Sequence, residues 1–131
     1  MNIIKYRISL FSENPDKLAE FYTKILGFKQ VVKVDREDDY GYGIEATKGY
    51  KLWIAKHSKV KGKNDNPYRI MLSFYVDDIN DYFSIVESRS NLKIIEKPTA
   101  TCMNIKGEER LVGAFLDPDG NCIQLIQLTD N

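Results

Sequence analysis

With 131 residues the chain is sized for one domain that buries roughly two thirds of the surface its unfolded form exposes. Its 19 basic and 19 acidic residues cancel, which excludes the bulk electrostatic attraction that nucleic acid or an anionic membrane requires. No apolar stretch approaches about twenty residues and no charged n-region precedes an apolar run, so neither a membrane span nor secretion is expected and a cytoplasmic protein is.

The first predicted strand runs through Ile3, Ile4, Tyr6, Ile8 and Leu10 into Phe11. Ser12-Glu13-Asn14-Pro15-Asp16 then breaks the pattern and offers an N-cap followed by a first-turn proline. Leu18, Phe21, Tyr22 and Ile25 form one apolar helical stripe at i, i+3, i+4 and i+7, ending where Gly27 can take a left-handed cap. Phe28 to Val34 reads as a strand, Asp35 to Asp39 as a charged turn, and Tyr40 to Ala46 as extended chain again. Tyr40-Gly-Tyr-Gly43 lacks the following helix and the lysine of a phosphate loop, and reads as a strand with close backbone packing. After a turn at Thr47 to Tyr50, Lys51 to Ala55 forms a strand with Leu52 and Ile54 on one face and Lys51, Trp53 and Ala55 on the other.

The single histidine, His57, follows that strand, and the polar run from Ser58 to Pro67 is the one credible linker. Its lysines, with Lys56, read as a solvated loop. The opening pattern then returns. Ile70, Leu72, Phe74 and Val76 alternate with Met71, Ser73 and Tyr75, Asp77-Asp78 caps a helix, and Ile79, Tyr82, Phe83 and Val86 repeat the helical stripe. Asn91 to Lys97 is a strand, and Pro98 to Glu109 a long connection from which one further strand is expected. Arg110 to Leu116 leads into the turn Asp117-Pro-Asp-Gly-Asn121 and the closing strand that carries Gln124. Cys102 and Cys122, with one histidine, make neither a disulfide framework nor a zinc pattern, so two buried or idle thiols are expected.

A repeat of about sixty residues implies two modules, each too small to bury its own sheet face. The expected fold is α+β: two βαβββ modules, about 1–58 and about 68–131 joined by a linker at about 59–67, forming a cupped mixed sheet with the helices outside and a small-molecule hollow inside. Alternation assigns Arg7, Ser9 and Phe11, then Lys51, Trp53 and Ala55, then Met71, Ser73 and Tyr75, then Cys122, Gln124 and Ile126 to the helix-free faces.

Phe21-Tyr22 with Ile25-Leu26-Gly27-Phe28, Val76-Asp77-Asp78 and Phe115-Leu-Asp-Pro-Asp-Gly-Asn-Cys-Ile-Gln124 resemble the glyoxalase, bleomycin-resistance and extradiol-dioxygenase superfamily, the vicinal oxygen chelate proteins. The resemblance covers nearly the whole chain. It implies paired βαβββ modules around a small-molecule site, usually in a homodimer, and in the enzymes a divalent metal held by His and Glu from first and last strands. Carried over by position, those ligands fall on Arg7, Trp53, Met71 and Gln124, where the enzymes commonly have Glu after the Asp-Pro-Asp-Gly-Asn turn. Gln keeps an acceptor oxygen without the charge, and neither a guanidinium nor an indole ligates, so no metal and no other cofactor is expected.

The expected ligand-binding residues are Arg7, Phe11, Tyr42, Trp53, Met71, Tyr75 and Gln124, a set suited to an anionic or aromatic small molecule. Two alternatives remain open for Arg7, which serves either a ligand or an internal ion pair with Glu45, and Trp53 with Met71 can instead be core. No catalytic residue is assigned, since Cys122, the tyrosines and Glu45 are the only titratable groups on offer. A metal-free binding protein is favoured over a superfamily lyase, isomerase or dioxygenase with a non-standard site, and over a module that only mediates contacts.

Overall fold

A computed structural model describes residues 1–102 and 109–129 of the chain. These fall into two compact units, Met1–Lys63 and Asn64–Asn131. Each is a βαβββ module carrying one four-stranded mixed sheet, and each sheet is open.

In the first module the order is β1 (Ile8–Phe11), β4 (Tyr50–Ala55), β3 (Asp39–Thr47) and β2 (Lys29–Arg36). β1 pairs with β4 in parallel, and the other pairings are antiparallel. The first strand is shorter than predicted, because residues 1–7 form no ladder. The charged turn is also narrower: Asp35, Arg36 and Asp39 belong to strands, and the chain reverses at Glu37 and Asp38.

The Ser12–Asp16 break folds by a visible relay. Ser12 is fully buried, its N–H donates to the Ala55 carbonyl (2.9 Å), and its Oγ accepts from the Asn14 N–H (3.0 Å). Asn14 in turn caps α1 (Pro15–Glu20), its side chain accepting from the Lys17 N–H, with Pro15 in the first turn where no donor is needed. Leu18, Phe21 and Tyr22 are buried against the sheet as the stripe requires. The stripe does not continue as one α-helix, however: Phe21–Ile25 is a π-helical turn, closed by the Leu26 N–H on the Phe21 carbonyl. Gly27 then takes φ +76°, and the Phe28 N–H reaches back to the Tyr22 carbonyl, which ends the helix.

The second module repeats the scheme with β5 (Met71–Tyr75), β8 (Cys122–Thr129), β7 (Glu109–Leu116) and β6 (Ile94–Cys102), and β5 is parallel to β8. Asp78 caps α2 (Ile79–Arg89) by accepting from the Asp81 N–H, and Ile79, Phe83 and Val86 are buried. The expectation that Pro98 opens a long connection is corrected here. β6 runs through Pro98 to Cys102, with the ladder register shifting between Glu96 and Thr99, because an edge strand tolerates the missing donor at an irregularity. No separate strand arises from residues 98–102, while 103–108 and the side chain of Cys102 lie outside the described residues.

The Asp117 turn is held by its own side chain. Asp117, buried at 3% exposure, accepts from the Asp119 and Asn121 N–H groups through Oδ1 and from Asn121 Nδ2 through Oδ2. Asn64 closes the outside of the turn, its N–H donating to the Asp119 carbonyl and its Nδ2 to Asn121 Oδ1. Among the described residues no helix is long and apolar enough to cross a membrane.

Gly113 on β7 lets α2 pack closely on the sheet: a Cβ there would lie 2.5 Å from Phe83 Cζ, and Phe83 already packs edge-on against Phe115 with centroids 5.5 Å apart. Gly113→Ala is therefore expected to destabilise the fold by about 1–3 kcal/mol through overpacking, read as a lower urea midpoint with an unchanged slope. An unchanged midpoint would show that α2 can retreat from β7 without cost.

Candidate functional site

Ladder register assigns each side chain to a face. In the first sheet Ser9 lies opposite Trp53, and Gly43 is paired with Trp53 from the other side, while Gly41 pairs with Ala55. Ser9, Phe11, Lys51, Trp53 and Ala55 thus share the face that α1 leaves uncovered, and Arg7, just ahead of the ladder, joins them by its contact with Trp53. The two glycines of Tyr40-Gly-Tyr-Gly43 lie on that face as well. A Cβ at Gly41 would meet Ala55 Cβ at 2.7 Å and Trp53 Cζ2 at 2.9 Å, so the indole edge rests against bare backbone.

The Arg7 guanidinium lies over the indole, with Cζ 4.9 Å from the ring centroid. Such stacking contributes about 0.5–2 kcal/mol and leaves the planar edge of the guanidinium with its N–H donors available. Trp53 is 8% exposed beneath it. The ion pair with Glu45 that sequence reasoning left open does not form: the salt bridges among the described residues are Lys24–Glu20 and Lys97–Glu87. Glu45 sits opposite Lys51 instead, two strands away from Arg7. Phe11, exposed at the end of β1, packs its ring edge-on with His57 at 5.0 Å.

In the second sheet Met71, Ser73 and Tyr75 lie opposite Cys122, Gln124 and Ile126 across a parallel ladder. Ser73 Oγ donates to Gln124 Oε1 at 2.9 Å, which orients the amide, and Met71 and Tyr75 are exposed on either side of that pair. Cys122 is buried, and burial, followed by the charge of Asp117, pushes its thiol above the ordinary value. It is therefore a poor thiolate and a poor metal ligand at neutral pH.

The four positions to which the resemblance assigns metal ligands, Arg7, Trp53, Met71 and Gln124, thus present a guanidinium, an indole, a thioether and an uncharged amide. This donor set does not fit a divalent cation. Among the described residues no three His, Cys, Asp or Glu side chains come together in a group able to hold a metal ion.

Tyr42 does not join the set. It pairs with Ile54, so the alternation that turns Gly41 and Gly43 toward Trp53 turns Tyr40 and Tyr42 toward α1. There both phenols donate to the same oxygen, Asp16 Oδ1, at 2.5 Å each, and the rings stand at 86° to one another. Lys33, opposite Tyr42 on β2, sets its ammonium 5.7 Å from the Tyr40 centroid and 5.3 Å from that of Tyr42. Sequence reasoning missed this cluster. The alternation already put the two tyrosines on one face, but nothing local announced that Asp16 would reach them.

These contacts shift both partners. The hydroxyls of Tyr40 and then Tyr42, assisted by Lys33, hold the Asp16 carboxyl below its ordinary range, while Asp16 and Tyr40 hold the Tyr42 phenol well above its own. A lowered acid contributes stability that is present at neutral pH and lost as pH falls through its shifted value. A raised phenol contributes stability that is complete below about pH 10 and lost as pH rises beyond it. In a phenolate absorbance titration two tyrosines, Tyr42 and the Tyr82 that Asp77 holds up, are accordingly expected to ionise later than the rest, and Asp16→Asn should return Tyr42 alone to the group. If all eight tyrosines titrate together in both proteins, the shared hydrogen bonds do not persist in solution.

The model of the family described as Glyoxalase/Bleomycin resistance protein/Dioxygenase superfamily matches residues 6–125. A superfamily member from Sphaerobacter thermophilus DSM 20745 superposes with a TM-score of 0.73 at 16% identity, covering 95% of this chain and 98% of its own. TnmS3, an antibiotic binding protein from Streptomyces sp. CB03234, gives 0.69 at 17% identity over 98% and 100%. A protein from the mobile metagenome of V. Pseudocholerae gives 0.70 at 23% identity over 99% and 98%. At these identities the likeness is one of fold. No curated protein matches the sequence.

Proposed function

This chain belongs to the Glyoxalase/Bleomycin resistance protein/Dioxygenase superfamily, and from that premise we propose that it binds a small anionic or aromatic molecule on the helix-free faces of its sheets, without a metal. The observation that carries this reading is the stacked Arg7 and Trp53. A cation fixed over an aromatic ring, with no carboxylate partner among the described residues, offers parallel N–H donors to a carboxylate or phosphate beside an apolar wall. Phe11 extends that wall in the first module. In the second, Met71 and Tyr75 flank the oriented amide of Gln124, a contact for a polar edge between two apolar ones. TnmS3 is an instance of this fold used for binding, which supports the class of function and leaves the ligand to experiment.

The protein is further read as a homodimer. Ile3, Ile4 and Tyr6 are exposed in the segment just before the edge strand β1, and Tyr68 and Ile70 in that just before the edge strand β5, the kind of apolar surface a second copy covers. Cys122 as a buried free thiol suits a reducing, cytoplasmic setting.

Aromatic and aliphatic carboxylates are the probes of choice, followed by thermal shift and by emission of Trp53, the only tryptophan. Ligands should raise the melting temperature and change the emission, and Arg7→Ala should weaken them about tenfold to a hundredfold, the worth of a charge-assisted hydrogen bond of about 1.5–3 kcal/mol. Equal binding by Arg7→Ala, with Trp53 emission unmoved, would overturn the role given to this face. Light scattering that reports a monomer at micromolar concentration would remove the dimer without touching the site.

A further inference from the structure

We propose that the cleft between the start of α1 and the β2–β3 turn is a second small-molecule site, which takes a compact zwitterion with an ammonium group at one end and a carboxylate at the other. It lies on the α1 side of the first module, where Tyr40 and Tyr42 face, and so is separate from the Arg7 and Trp53 face. The cavity has a volume of about 420 Å³ and is lined by Glu13, Asp16, Arg36, Glu37, Tyr40 and Lys56 among others. That size falls within the roughly 300–1,000 Å³ of ordinary ligand pockets.

The ammonium end follows from Asp16 and Tyr40. Both phenol donors converge on Asp16 Oδ1, which fixes the carboxylate and leaves Oδ2 with no hydrogen bond among the described residues. The protein's own Lys33 ammonium already covers the two rings, at 5.3 and 5.7 Å from their centroids, so a ligand ammonium has to approach the open Oδ2 side of Asp16. A carboxylate oxygen without a hydrogen bond in a lined cleft is the chemistry that recognises an ammonium group.

The carboxylate end follows from Arg36 and Lys56, which also line the cavity and form no salt bridge among the described residues. The Lys56 N–H donates to the Tyr40 carbonyl at 3.0 Å, which ties this cation's backbone to the tyrosine that serves the other pole. Glu13 Oε2 accepts from the Gly62 N–H at 2.8 Å and so anchors one wall. A simple anion would meet Glu13, Asp16 and Glu37, and a simple cation would meet Arg36 and Lys56. A ligand bearing both charges satisfies the two groups together.

The test is a titration of the isotopically labelled full chain with glycine, γ-aminobutyrate and 6-aminohexanoate, with hexylamine and hexanoate as single-charge controls, followed by amide chemical shifts. At least one zwitterion should give saturable shifts centred on residues 13–16, 36–40 and 56, stronger than either control. Tyr40→Phe, which removes one donor to Asp16, and the exposed Arg36→Gln should each weaken it at least fivefold. Shifts at those residues that never saturate, an equal response of those same residues to hexylamine or hexanoate, or unaltered binding there by Arg36→Gln would each overturn the site.

Discussion

The parallel ladder that joins the first strand of each module to its last is the constraint on which the rest depends. Because β1 runs beside β4 and β5 beside β8, residues far apart in the chain become neighbours on one face: Ser9 beside Trp53, and Ser73 beside Gln124. A slip of one residue in either ladder would exchange the two faces entirely. What holds the register is burial on the helix side, where Leu52, Ile54, Leu72 and Ile123 must meet α1 and α2. The chemistry of the helix-free faces is thus positioned by the apolar packing behind them.

The first module shows how one strand can serve both sides at once. In Tyr40-Gly-Tyr-Gly43 the small residues admit the indole on one face while the large ones grip Asp16 on the other. The tryptophan that Arg7 covers and the carboxylate that the tyrosines share are therefore coupled through four residues of backbone. A change at Gly41 would press on Ala55 and Trp53 and, through the strand, disturb the position of Tyr42.

The superfamily's fold is retained here, and its helix-free faces carry a guanidinium stacked on indole and an amide oriented by a serine, groups that offer directed contacts and do not supply the concentrated negative charge that a divalent cation demands. Part of this lining is also core, since Trp53, Ala55, Cys122 and Ile126 on the helix-free faces are buried, while Arg7, Met71 and Tyr75 remain exposed.

Much of this was legible in the linear chain, because alternation and helical stripes are local. The repeated modules, the Asn14 and Asp78 caps, the Gly27 stop and the Asp117 turn all follow from residue types a few positions apart, and those determine which face each side chain takes. Contacts between distant segments were not legible. That Arg7 lies over Trp53 and does not pair with Glu45, that Tyr42 turns to Asp16, and that β6 carries on through Pro98 each depend on which strand becomes whose neighbour. Pairing of this kind is settled by the sum of packing over a whole module, and no short stretch of sequence contains it.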